Sequence, residues 1–310
     1  MVELEAYPRD THFMTRTKNL SLWLLPLLLI LSIIAFAALA PVKFLNTITP
    51  SSTYKKTADI AYGDLPRQTL DIYIAEKQKT GAADMKVPIL IFVHGGGWHS
   101  GNKEMYKFLA DGFSRSGYDI VIPNYRLFPD GVYPNMLLDT AQATAHIADK
   151  FPDRPLVLIG HSAGAYNVLM MGLAPEYLQR HDIDLCQRVA GVISLAGPTG
   201  EIKLKSPRYV EVIPDRFNGQ SAAINNLGSP NPPILLVNGG LDNQVDPVNA
   251  VGLAKRMEDR GKAAELKLYD DQTHNDLVKN LSRYFEADST LKSDLVSFID
   301  NLPTDANYCL

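Results

Sequence analysis

Leu156-Val157-Leu158-Ile159-Gly160-His161-Ser162-Ala163-Gly164 runs straight into Ala165-Tyr166-Asn167-Val168-Leu169-Met170-Met171, and this order decides the fold. A short apolar run of branched residues closed by glycine reads as a buried strand. The stretch after Gly164 can bury its apolar side only as a helix. Strand, Gly-x-Ser-x-Gly, helix is the setting that holds a serine on a sharp turn, its hydroxyl projecting from the sheet edge. Gly160 and Gly164 leave the space such a turn needs, because a Cβ there would collide with the neighbouring strand or helix. The turn strains its central residue, Ser162, by about 1–3 kcal/mol. The helix that begins at Ala163 aims its free N–H groups at the same spot, so the Ala163 N–H is the first donor to a developing oxyanion.

Upstream, Ile89-Leu90-Ile91-Phe92-Val93 repeats the strand signal and ends in His94-Gly95-Gly96-Gly97-Trp98. A loop of three glycines lets backbone N–H groups approach negative charge closely, and one such donor contributes about 3–4 kcal/mol in a transition state. Trp98 is expected to pack under this loop and His94 to hydrogen-bond its backbone, with His161 doing likewise or lining the site.

A serine hydroxyl is a poor nucleophile until a base takes its proton. In this architecture the chain order is serine, acid, histidine. Two histidines follow Ser162. His181 lies in the polar run Gln179-Arg180-His181-Asp182 and reads as surface, whereas His274 follows the strand-like Leu266-Lys267-Leu268-Tyr269, where a base belongs. The strand pattern Pro233-Ile234-Leu235-Leu236-Val237 leads into Asn238-Gly239-Gly240-Leu241-Asp242, with Asp246-Pro247 further on. Asp242 stands at the strand's carboxyl end, where ligand-facing groups collect in open sheets. Asp246 precedes Pro247 as a helix cap would. The residues favour Asp242 and leave Asp246 as its rival.

Together with Leu70-Asp71-Ile72-Tyr73, Asn124-Tyr125-Arg126-Leu127, Gly240-Leu241-Asp242 and Thr273-His274, these motifs carry a resemblance. From about Tyr62 to Leu302 the chain resembles the bacterial esterase/lipase branch of the α/β-hydrolases. That branch includes hormone-sensitive-lipase-like carboxylesterases, feruloyl-esterase-like proteins and kynurenine formamidases. The resemblance implies Ser162 as nucleophile, Asp242 and His274 as its partners, and Gly96, Gly97 and Ala163 as oxyanion donors, with His94, Gly95, Trp98 and His161 in support. It implies an Arg126–Asp139 pair that braces the oxyanion loop, a small-molecule ester substrate, and neither metal nor organic cofactor. Amide hydrolysis of the formamidase type uses the same machinery, and an inactive binding module on the same fold is the reading from another class.

Strand-like runs near Ile89, Ile120, Leu156, Val189, Ile234 and Leu266 alternate with helical ones. This predicts a mostly parallel sheet with helices on both faces. Thr57 to Ile74 reads as an antiparallel hairpin at one edge, turning at Gly63-Asp64-Leu65-Pro66. Pro198 to Pro232, with Tyr209, Ile213 and Phe217, lies where such folds insert a lid, and these three side chains are candidates for the substrate pocket.

From Leu20 through Ala40 there is no charged residue. About 20 apolar residues span a bilayer as a helix. The expected organisation is an N-terminal tail over 1–18, a single uncleaved transmembrane anchor over 19–42, a polar linker over 43–56 and a catalytic domain over 57–310, with 198–232 as the lid. Arg16 and Lys18 before the span place the hydrolase on the non-cytoplasmic side. Cys186 and Cys309 are too few for a disulfide framework, and the sequence leaves their pairing open. With 310 residues, 46% of them hydrophobic, the chain is long enough for a full core behind the anchor. A net charge of −4 without a basic stripe argues against nucleic acid. The oligomeric state is not encoded in any motif.

Overall fold

A computed structural model describes residues 12–79, 87–200, 207–217, 219–262, 264–303 and 307–309. The chain divides into two compact units, Met1–Ile48 and Thr49–Leu310.

The first unit holds α1 (His12–Leu39) and α2 (Pro41–Ile48). Part of the expected tail, residues 1–11, lies outside the described residues. Among the described residues no single helix is long and apolar enough to cross a membrane. Leu24–Ala37 and Pro41–Ile48 pass that test only as a pair, bent by 115°. Along α1 the side chains of Leu25, Leu28 and Ile34 are exposed, as is most of the apolar run between Leu24 and Phe36. The expected linker over 43–56 is corrected: α2 occupies its first part and a strand begins at Tyr54, leaving only a short connection. Pro41 explains the helix, because at a first helical position its missing N–H costs nothing and its φ is already set. Phe44 then meets Phe36 edge-on, their ring centroids 5.9 Å apart.

The second unit is built on one eight-stranded sheet. Its strands are β1 (Tyr54–Ala61), β2 (Thr69–Ala75), β3 (Ile89–Val93), β4 (Ile120–Pro123), β5 (Leu156–His161), β6 (Val189–Leu195), β7 (Ile234–Gly239) and β8 (Ala264–Tyr269). Their spatial order is β1-β2-β4-β3-β5-β6-β7-β8. β2 runs antiparallel to both β1 and β4, and every pair from β4 through β8 is parallel. Every residue of β3, β5, β6 and β7 is buried, so both faces of the central sheet are covered. The cover comes from α3 (Lys107–Arg115), α4 (Asn135–Lys150), α5 (Ala163–Leu173), α6 (Glu176–Gln179), α7 (Leu185–Arg188), α8 (Pro207–Val212), α9 (Val248–Glu258), α10 (Asp276–Lys279) and α11 (Leu291–Asp300). α5 is buried on every side and packs on β5 and β6.

The edge hairpin begins at Tyr54 rather than Thr57, with Tyr54 paired to Ala75. Most of β1 is exposed and polar, including Lys55 and Lys56, so no apolar alternation announces its start. The opposite edge is β8, where Glu265 and Leu268 are exposed and the aliphatic stem of Lys267 is half-covered. Cys186 in α7 and Cys309 form a disulfide, Cα atoms 4.9 Å apart, across 123 residues of chain. The Tyr308 N–H donates to the Cys186 carbonyl beside it.

Candidate active site

Ser162 stands between β5 and α5 at φ +54° and ψ −118°. This is a left-handed backbone, costly for a serine and held here by its surroundings. Its N–H donates to Leu195 O of β6 at 2.8 Å, and its carbonyl accepts from the Tyr166 N–H one turn into α5. The glycines permit the turn. A Cβ on Gly164 would lie 2.0 Å from Val93 O, and one on Gly160 would lie 2.3 Å from Gly164 O. α5 can therefore sit directly against the end of β3, which brings the loop after β3 beside Ser162.

That loop is His94 to Gly101. Gly96 has φ +119°, Gly97 +59° and Trp98 +59°. The Gly95 Cα faces the elbow so closely that a Cβ would come within 3.2 Å of Ser162 Cβ. No loop hydrogen bond takes up the N–H of Gly96 or Gly97, whereas the Gly96 carbonyl accepts from both His99 and Ser100. Ala163, first in α5, has no acceptor one turn back for its N–H. Gly96 and Gly97 lie in this loop beside the elbow, and Ala163 directly follows Ser162. His94 lies wholly buried beneath: its Nδ1–H donates to Gly95 O at 2.8 Å, and its ring stacks 4.5 Å from Tyr125. The Tyr125 hydroxyl in turn donates to His94 O.

The structure brings together Asp242, after β7, and His274, after β8. His274 Nδ1 donates to Asp242 Oδ2 at 2.7 Å, and both side chains are buried. A carboxylate only accepts, so Nδ1 carries a proton, and in the neutral ring Nε2 keeps its lone pair. Asp242 Oδ1 accepts from the N–H groups of Gln244 and Val245, each at 2.9 Å. Burial works to raise its carboxyl, but the bonds from His274, Val245 and Gln244 prevail and hold it below the ordinary value. Asp246 instead accepts from the Val248 N–H at the exposed start of α9, which leaves Asp242 alone with the histidine. His161 Nε2–H donates to the His274 carbonyl at 3.0 Å, and the two rings lie 4.6 Å apart. Among the described residues the Ser162 hydroxyl donates no hydrogen bond. Such bonds are often long before substrate binds and tighten with it. His181 ends a turn after α6, with its N–H on Leu178 O, away from this cluster.

Two of the buried imidazoles are neutral. Burial lowers His94 to about 4 and His161 to about 3. An unfolded histidine titrates near 6.5, so below that pH the unfolded chain takes up protons the folded chain refuses. The stability these groups contribute is whole above pH ~6.5 and is lost as pH falls toward their folded values, at roughly 1.4 kcal/mol per unit for each histidine. The urea midpoint should hold level above pH 7 and drop steadily between about pH 6.5 and 4; a flat midpoint over that range would show that both rings take up protons in the folded chain as readily as in the unfolded one.

Outer residues brace the loop. Asp139 of α4 takes a two-pronged bond from Arg126, at 2.7 Å to Nη2, and accepts the Arg126 backbone N–H. Gln68 donates to the same carboxylate. The strand-end loop fixed in this way carries Phe128, whose N–H donates to Trp98 O at 2.8 Å. Trp98 is buried, edge-on to Tyr166 and to Tyr209. Within the expected lid, residues 201–206 and 218 lie outside the described residues. Tyr209 on α8 reaches the glycine loop through Trp98 and His99, Ile213 is buried, and Phe217 packs on Tyr133.

Sequence reading missed Asn167, which takes the Trp98 indole N–H at 3.0 Å. A lone amide within an otherwise apolar helical run was the signal, since a buried amide requires a partner. It also missed Lys103, buried against Asp71 at 2.8 Å and Asp59 at 2.6 Å under the edge hairpin.

A parallel sheet with an antiparallel leading edge, a serine on a left-handed turn after β5, and a buried acid–histidine pair after β7 and β8 define an α/β-hydrolase, of the esterase/lipase superfamily. Solved structures share the fold. Esterase B from Lactobacillus rhamnosis superposes with TM-score 0.70 at 18% identity, covering 87% of this chain and 94% of that one. A truncated carbohydrate esterase from gut microbiota gives TM-score 0.68 at 18% identity, over 81% of this chain and 97% of that one. By sequence the chain belongs to the BD-FAE family, whose model matches residues 70–257. An isoprenylcysteine alpha-carbonyl methylesterase of Arabidopsis thaliana is 26% identical over 70% of this chain and 56% of its own length. Kynurenine formamidase of Danio rerio is 26% identical over 45% of each. The chain thus spans little more than half the length of the methylesterase it matches.

Proposed function

We propose that this chain is a serine hydrolase that cleaves carboxylic esters through Ser162, His274 and Asp242. The observation that carries the reading is the buried 2.7 Å contact of His274 Nδ1 with Asp242, set at the same strand ends as the strained Ser162. Ser162 Oγ attacks the ester carbonyl while His274 Nε2 takes its proton. Asp242 holds the tautomer that leaves this nitrogen free and stabilises the imidazolium that forms. The N–H groups of Gly96, Gly97 and Ala163 receive the oxyanion. His274 then protonates the departing alcohol, and water, activated by the same imidazole, releases the acyl group from Ser162. Relatives named as methylesterases and esterases support the ester reading. The formamidase relative favours amide hydrolysis as the second one.

A fluorophosphonate should form one adduct, on Ser162 by peptide mass, and turnover of p-nitrophenyl acetate should fall in step with labelling. An adduct elsewhere, or turnover that survives full labelling, overturns the reading. Parallel rates on a formanilide would move the substrate class to amides.

We further propose that residues 19–42 anchor the chain in a membrane by a single pass, with the hydrolase unit on the non-cytoplasmic side. The exposed apolar side chains of α1 support the anchor. Arg16 and Lys18 ahead of it support the orientation, as does the Cys186–Cys309 disulfide, a bond that persists in oxidising compartments. The protein should stay with membranes through alkaline carbonate and be digested by protease added to the outside of sealed cells or spheroplasts; release by carbonate, or full protection, counts against it.

A further inference from the structure

We infer that Asn167 is the positioning residue that sets the spacing between the oxyanion loop and the nucleophile. The inference rests on the serine-hydrolase reading above. Asn167 lies on α5, five residues beyond Ser162, and is completely buried. Its Oδ1 accepts the Trp98 indole N–H at 3.0 Å, and its Nδ2 donates to Thr140 Oγ1 at 3.2 Å. The direction of these bonds is fixed. The Thr140 hydroxyl gives its own proton to Met136 O at 2.8 Å, so it can only accept from Asn167. The amide oxygen must therefore face Trp98.

This matters because Trp98 closes the oxyanion loop in a conformation it would not choose alone. Gly96, Gly97 and Trp98 all have positive φ, a conformation that strains a tryptophan. Two bonds hold it there: Phe128 N–H to its carbonyl and Asn167 to its ring. The first ties the loop to the Arg126–Asp139 segment. The second ties it to the helix that begins directly after Ser162, and that helix is seated by Gly164 on the end of β3. The Asn167–Trp98 bond thus links the donors of Gly96 and Gly97 to the frame that carries the serine. Without it Trp98 can relax, and the glycine N–H groups move with it. A shift of about 1 Å in such a constellation costs on the order of 100-fold in rate. The loss falls on the transition state, because the ground-state carbonyl needs those donors less.

Trp98→Phe keeps an aromatic ring, smaller than the indole, and removes the donor; Asn167→Leu roughly keeps the volume and removes the acceptor, along with the donor to Thr140. Each should lower kcat for p-nitrophenyl acetate roughly 10- to 100-fold, with KM changed less than about threefold. Affinity for a trifluoromethyl ketone, which captures the oxyanion geometry, should fall by the same factor as kcat. The double variant should fall no further than the worse single one, because both substitutions remove the same Trp98–Asn167 bond. Near-UV circular dichroism and urea melts report the folded fraction, and Trp98→Phe serves alone if Asn167→Leu does not fold. Wild-type kcat in folded variants, a change confined to KM, or additive losses in the double variant each overturn the inference. Ser162→Ala is run alongside: if it retains turnover, the serine-hydrolase reading fails instead.

Discussion

Ser162→Ala is expected to lower kcat toward p-nitrophenyl acetate by roughly a millionfold, the scale seen when one member of such a unit is removed. The argument is local. The Ser162 hydroxyl donates no hydrogen bond among the described residues, so its removal leaves no buried group without a partner. Alanine carries the same Cβ into the same left-handed backbone, so the strain at φ +54° is unchanged. Urea and thermal midpoints should therefore stay within about 0.5 kcal/mol of wild type, the range of a substitution that breaks no packing or network. Any residual rate over water belongs to the donors of Gly96, Gly97 and Ala163 and to substrate binding. A folded variant that keeps even a tenth of the wild-type rate would remove Ser162 from the chemistry.

Asp242→Asn is expected to lower kcat by roughly 10⁴-fold, by imposing the wrong tautomer. Two backbone donors, Gln244 and Val245, point at Oδ1. They fix which atom of an asparagine takes that place: its carbonyl oxygen stays there, and its NH2 turns toward His274 Nδ1. An NH2 group donates, so Nδ1 must accept and the ring proton moves to Nε2. The nitrogen that should receive the Ser162 proton is then already occupied. The shape of the site is kept, so KM should change little. The readout is kcat from pH 6 to 9 in a variant whose circular dichroism matches wild type. A loss under about tenfold would mean that Asp242 only anchors the loop after β7.

How much of this was legible in the chain depends on how far each partner lies. The turn at Ser162 is a property of nine consecutive residues, and its strand, glycines and helix are visible in order. The contact of Asp242 with His274 follows from where β7 and β8 end, because neighbouring parallel strands deliver their carboxyl ends to one edge of the sheet. The rival Asp246 needed coordinates, since a helix cap and a site carboxylate look alike before the backbone around them is known. Asn167 was in plain view, but its partner Trp98 is 69 residues away, and nothing in a helical pattern names the acceptor of an indole. A longer separation, 123 residues, hid the pairing of Cys186 with Cys309. Lys103 misleads because lysine is ordinarily solvated; only the meeting of Asp71 on β2 with Asp59 on the bulged β1 makes a buried site for it. β1 and α2 were blurred for another reason: an exposed edge strand and a two-turn helix give too few apolar repeats to set a period.

The strand that closes the sheet opposite the hairpin has a bearing on solubility at high concentration. β8 ends the sheet, and the outer margin of an edge strand is the usual nucleus for intermolecular sheet growth. Glu265 and Lys267 stand on that rim, and Lys267 reaches both Glu265 and Asp294. An incoming segment would have to strip water from this charged fringe before it could add a rung. The rim therefore acts as a gatekeeper against fibrillar stacking, and neutralising both positions together would expose the template that the wild-type chain conceals.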